Sequence, residues 1–86
     1  MVKEKIGVII HYFTKISVAA IKISDGELKI GDVIHIVGSH TDFKQKIESM
    51  QIDGKPVDIV RAGDDVGIKL KDRVRENDII YKSTEE

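Results

Sequence analysis

The chain has no cysteine and no tryptophan among its 86 residues. Without thiols, a disulfide scaffold, a thiolate nucleophile and a cysteine-ligated zinc site are excluded together. Aromatic side chains are confined to Tyr12, Phe13, Phe43 and Tyr81, too few for a platform on which single-stranded bases stack. Neither charge sign dominates: 14 basic and 15 acidic residues leave a net charge of −1, so contact with a polyanion has to come from a local patch. Apolar runs stay far below transmembrane length, and Met1-Val2-Lys3-Glu4-Lys5 lacks the apolar stretch of an export signal. The expected location is therefore cytoplasmic, with no membrane partner. Thermolabile side-chain amides are limited to Gln45, Gln51 and Asn77; with 34% charged residues, this leans toward a thermophilic source. No window sustains the 3.6-residue period of an amphipathic helix.

What is present is β-structure punctuated by turns. The stretch Ser24-Asp25-Gly26-Glu27-Leu28-Lys29-Ile30-Gly31-Asp32 organises the chain. Asp25-Gly26 offers a turn, because glycine takes positive φ at no steric cost, and Gly31-Asp32 turns the chain again; an aspartate beside such a glycine is turn chemistry. Gly31-Asp32 leads into Val33–Val37. Gly63-Asp64 leads into Val66-Gly67-Ile68-Lys69-Leu70, and Asn77-Asp78 leads into Ile79-Ile80-Tyr81. Further strands are predicted over Lys5–Tyr12, Ile16–Ile23 and Phe43–Ile52. Ile6, Val8, Ile10 and Tyr12 share one face of the first strand. The second changes parity between Val18 and Ile21, which predicts a bulge near Ala19-Ala20. The longer strand changes parity at Glu48-Ser49, which predicts a bulge or corner. Asp53-Gly54 is the strongest hairpin signal, with Pro56 just beyond it. Gly38–Asp42 reads as a loop, Ile34 and Ile36 as core, and Ser83–Glu86 as a frayed tail. Residues 1–86 thus form one domain, an all-β, closed or nearly closed antiparallel barrel of six to seven strands.

Few residues point to chemistry. His11, His35 and His40 lack metal-ligand spacing and read as exposed or half-buried. Ser17, Ser24, Ser39, Ser49 and Ser83 lack a nucleophile-elbow context. The glycines match neither a dinucleotide fingerprint nor a phosphate loop. No catalytic, cofactor or metal residues are assigned, and the chain is expected not to be an enzyme. One basic group stands out: Lys69, Lys71, Arg73 and Arg75 alternate, and in an extended run they project to one side. Lys44 and Lys46 form a second alternating pair. Either these are a solvated face or they form a rim that contacts nucleic-acid phosphates.

Several motifs carry a family resemblance: Val18-Ala19, Gly26-Glu27-Leu28-Lys29-Ile30-Gly31-Asp32-Val33-Ile34, Ile47-Glu48-Ser49-Met50 and Ala62-Gly63-Asp64-Asp65-Val66-Gly67-Ile68. With these, the chain resembles the β-barrel domain that follows the GTPase domain in elongation factor Tu and its relatives. Met50-x-x-Asp53-Gly54-x-x-Val57 and the closing Asp78-Ile79-Ile80 also resemble the C-terminal barrel of collagenase-like peptidases. The first likeness implies the barrel fold and a freestanding RNA- or ribosome-associated module without a nucleotide site. The second implies an accessory barrel that docks on a protein partner such as a peptidase. The translation-factor glycine pair at the start of the second strand is Thr14-Lys15-Ile16 here, and another family glycine falls at Ile21. The surface that receives an aminoacyl-tRNA end is therefore not carried over. Gly26, Gly31, Asp32, Gly63, Asp64 and Gly67 are assigned backbone roles.

Overall fold

The computed structural model describes residues 3–83. Among them there is no helix, so none is long and apolar enough to cross a membrane. The strands are β1 (Lys3–Phe13), β2 (Val18–Ile23), β3 (Glu27–Lys29), β4 (Val33–Gly38), β5 (Thr41–Lys46), β6 (Met50–Ile52), β7 (Lys55–Pro56), β8 (Ile59–Arg61), β9 (Asp65–Lys69) and β10 (Ile79–Ser83). All pairings are antiparallel. Eight strands form one sheet in the order β5-β4-β10-β1-β2-β9-β6-β7, and β3 pairs with β8 in a second. Both sheets cover a single core, in which Leu28 of β3 and Val60 of β8 lie beside Ile21, Ile34, Ile36 and Ile80 of the larger sheet. The all-β antiparallel expectation holds, with Ile34 and Ile36 fully buried. Short elements such as β7 and β8 raise the strand number above six or seven.

The irregularities fall elsewhere than predicted. β2 carries no bulge, because Ala19, Ile21 and Ile23 alternate regularly into the core. Its apparent change of parity arises because small Ala19, rather than Val18, is the inward residue. The bulges lie in β1, where Ile6 is inserted relative to β10 and Ile10 relative to β2. Each extra residue shifts the facing by one. Ile6 and Ile9 are consequently buried, Tyr12 packs against the core, and Ile10 is 47% exposed. The expected common face of Ile6, Val8, Ile10 and Tyr12 does not exist. Residues 47–49 interrupt the long strand where a corner was predicted, between β5 and β6. Ile47 exchanges backbone bonds there with Gly31 and Asp32.

The expected loop over Gly38–Asp42 is a tight turn at Ser39-His40, since Gly38 already pairs with Thr41. Ser83 pairs with Val33 and is buried, so it belongs to β10 rather than to a tail. The rest of that predicted tail lies outside the described residues. Asp53 and Gly54 both take positive φ (52° and 78°) and join β6 to β7, as a hairpin of the mirror-image turn class requires. Pro56 sits in β7 at the margin of the sheet, where a missing N–H is tolerated.

One turn design recurs at Lys29–Asp32, Arg61–Asp64 and Arg75–Asp78. The third residue is left-handed in each: Gly31 and Gly63 at φ 98° and Asn77 at 76°. The aspartate N–H donates to the first residue's carbonyl at 3.0–3.1 Å. Its Oδ2 accepts the first residue's N–H at 2.9–3.0 Å. Each turn therefore closes on itself, which is the physical content of the repeated Gly-Asp and Asn-Asp signals.

Candidate functional site

The most distinctive surface lies on the outer face of β1, β2, β9 and β6. The β1–β2 hairpin pairs Phe13 with Val18 and leaves Thr14–Ser17 as its turn. Ile16 N–H donates to Phe13 O at 3.3 Å, and Ser17 takes a left-handed φ of 57°. Ser17 O in turn accepts Leu70 N–H at 2.8 Å, tying the turn to the end of β9. The geometry leaves Phe13 46% and Ile16 57% exposed. Apolar side chains are costly in water, so one just before an exposed turn and one within it need a reason.

Between them and β6 runs a cleft of about 440 Å³, lined by Phe13, Ile16, Val18, Ala20 and Gly67 on its apolar side. Register makes the floor low. Ala20 pairs with Gly67, and Gly67 also pairs with Gln51, so the middle of the sheet carries only a methyl group and a hydrogen. A Cβ at Gly67 would come within 3.2 Å of Val18 Cγ1 and 3.3 Å of Gln51 Cγ. Gly67 thus keeps the floor open, and the atoms nearest it belong to the side chains of Val18 and Gln51 rather than to backbone. The charged residues lining the cleft, Asp53 and Asp65, are both acidic. The chemistry offered is an apolar trough with a negative rim.

The predicted basic residues are all exposed. Lys44 and Lys46 lie on β5, whose outer edge begins the larger sheet. Lysines on such an edge discourage strand addition. β9 ends at Lys69, and Leu70 and Val74 bury themselves between the exposed Lys71, Arg73 and Arg75. Gln45 bridges the start of this loop, donating to Lys69 O at 2.9 Å and accepting from Lys71 N–H at 2.8 Å. Lys69 and Lys71 line one small cleft with Gln45 and Glu48. Arg73 and Arg75 line another with Tyr12 and His40. Two pairs in two places replace the single file of four.

The histidines do not converge. His11 Nδ1 lies 3.1 Å from Glu76 Oε2, and its ring meets Phe13 edge-on with centroids 4.5 Å apart. His35 is buried, against the expectation of an exposed or half-buried residue, and pairs with Asp42. Its flanking strands β5 and β10 cover it on both sides. Among the described residues, no three His, Asp or Glu side chains gather where they could hold a metal ion. The apolar cleft was missed in the sequence because Phe13 reads as a link and Ile16 as a strand residue. The usable signal was the opposite parity of Ile16 and Val18 to Ile21 and Ile23.

Comparison with known proteins places the chain. The family model of elongation factor Tu domain 2 matches residues 17–80. An uncharacterized protease of Methanocaldococcus jannaschii is 42% identical over 80 residues, covering 92% of this chain and 19% of that protein. A collagenase of Porphyromonas gingivalis is 36% identical over 81 residues, covering 93% of this chain and 22% of the collagenase. The chain spans about a fifth of the length of these relatives. A crystal structure of the C-terminal domain of a Geobacillus thermoleovorans protein assigned to the U32 peptidases shares the fold. Its TM-score is 0.87 at 21% identity, with 94% of this chain and 93% of that domain covered. With most of its length matched by that family, the chain belongs to the elongation factor Tu domain 2 family.

Proposed function

We propose that the chain is a non-catalytic accessory domain that docks on a protein partner, the peptidase portion of a collagenase-like enzyme. The carrying observation is that its similarity to a protease and a collagenase takes up over nine-tenths of this chain but only about a fifth of theirs. The remainder of such a protein is the natural neighbour of a domain like this one. The apolar trough supports the reading, because exposed apolar surface with a polar rim is the usual mark of a protein contact. Its acidic rim, Asp53 and Asp65, suits a partner segment that carries a large apolar side chain beside a lysine or arginine. The RNA- or ribosome-associated reading draws on the family match and on exposed basic residues that here divide into two separate pairs.

The test uses a collagenase-like peptidase from the same source organism, expressed without its matching segment. The immobilised chain is expected to capture it, and Ile16→Asp is expected to abolish capture without lowering the melting temperature. Parallel samples with and without RNase separate the readings. Capture of structured RNA that fades with salt, with no capture of the peptidase, would put the RNA reading in its place.

A further inference from the structure

A second cleft, on a different part of the surface, has another chemistry. It measures about 300 Å³ and is lined by Arg73, Arg75, His40, Tyr12, Thr14 and Thr41, with Val74 between the arginines. Three separate segments build it: the end of β1 and its turn, the Ser39-His40 turn with the first residue of β5, and the loop after β9. Every polar side chain in it can donate a hydrogen bond, and no carboxylate lines it. Of the acidic neighbours in the loop, Asp72 is exposed and outside the lining, and the other two are engaged elsewhere. Glu76 faces His11 at 3.1 Å, and Asp78 Oδ2 accepts the Arg75 N–H at 2.9 Å. Among the described residues neither arginine forms an ion pair. The Thr41 hydroxyl has no hydrogen-bond partner among the described residues.

We infer that this cleft binds a phosphate group in its dianionic form. Two guanidinium forks and several hydroxyl donors exceed what a singly charged carboxylate uses, because one arginine already pairs with a carboxylate bidentately. A tetrahedral dianion takes both forks and still accepts from the hydroxyls of Thr41 and Tyr12. The volume is at the small end of ligand clefts, which suits a phosphate or a compact phosphomonoester. The proposal is independent of the peptidase-docking reading. It involves neither the apolar trough nor Lys44, Lys46, Lys69 and Lys71, none of which lines this cleft.

The test is an amide-shift titration of the whole chain by nuclear magnetic resonance, at constant ionic strength and mildly alkaline pH. Inorganic phosphate, phenyl phosphate and acetate are titrated side by side. Saturable shifts are expected at Thr14, His40, Thr41, Val74 and Arg75 with both phosphates. Earlier saturation by one of them tells the free ion from the ester. The double variant Arg73→Gln/Arg75→Gln should lose affinity by at least about tenfold. Lys69→Gln/Lys71→Gln, with the same change of charge, should keep it. Thr41→Val should weaken binding with the melting temperature recorded alongside, and Thr41→Ser should restore it. Equal shifts with acetate, shifts that never saturate, shifts spread over all the lysines, or equal losses in both double variants would each overturn the assignment.

Discussion

Asp78 and Arg75 close their turn in both directions. The Asp78 N–H donates to Arg75 O at 3.1 Å, and Asp78 Oδ2 accepts the Arg75 N–H at 2.9 Å. Asp78 is also 4% exposed, so its carboxylate has little water to fall back on. Asp78→Ala leaves the Arg75 N–H without its acceptor. A lost partner in a buried setting costs about 1–3 kcal/mol. The same change at Asp64, which is only half-buried, should cost less. Urea unfolding of both variants gives the comparison directly.

Gly63 stands at the left-handed position of the equivalent turn, with φ 98°. Open space surrounds it, since a Cβ there meets nothing within 4 Å. The penalty of Gly63→Val is therefore conformational rather than steric crowding by neighbours. A β-branched side chain at such a φ should destabilise by about 1–3 kcal/mol. Asn77→Gly, at the matching site with φ 76°, should be neutral or slightly stabilising. Melting temperatures of the two variants should move in opposite directions or leave the second unmoved.

The bulges in β1 make a sharp prediction about neighbours in sequence. Ile9 is buried and Ile10 is 47% exposed. Ile9→Ala should cost about 2–5 kcal/mol, as for other large-to-small changes in a core. Ile10→Ala should stay within about 0.5 kcal/mol, as surface changes do. Similar losses at both positions, measured by denaturant unfolding, would place the inserted residue elsewhere.

The trough predicts function without stability. Ile16→Asp removes an exposed apolar group and should leave the unfolding midpoint nearly unchanged while partner capture is lost. Phe13→Ser should also abolish capture, but gives up the edge-on contact with His11 at a cost of about 0.5–1.5 kcal/mol. Gly67→Ala raises the floor into contact with Val18 and Gln51. It should weaken capture, and the unfolding midpoint shows whether the Val18 and Gln51 side chains give way by the few tenths of an ångström required. The ratio of the two effects across the three variants is the readout.

Much of the architecture was written locally. Positive backbone angles at Gly26, Gly31 and Gly63 follow from residue type, and so do the hairpin at Asp53-Gly54 and the closed turns at Asp32, Asp64 and Asp78. A turn needs only its own four residues, so its chemistry survives any tertiary context. The all-β class followed from alternation between those turns.

Facing and proximity were decided by the tertiary structure. Whether Ile6, Ile9 or Ile10 points inward depends on how β1 aligns with β10 on one side and β2 on the other, and a shift of one residue reverses the face. Ala19 became core and Ile16 surface for the same reason. Lys69 and Lys71 parted from Arg73 and Arg75 because β9 ends and Leu70 and Val74 turn into the core. The two clefts exist only because segments distant in sequence pack side by side: Phe13 near Gly67, and Thr14 near Thr41 and Arg73. Residue type determined what each side chain can do, and burial of the common core determined which of them meet.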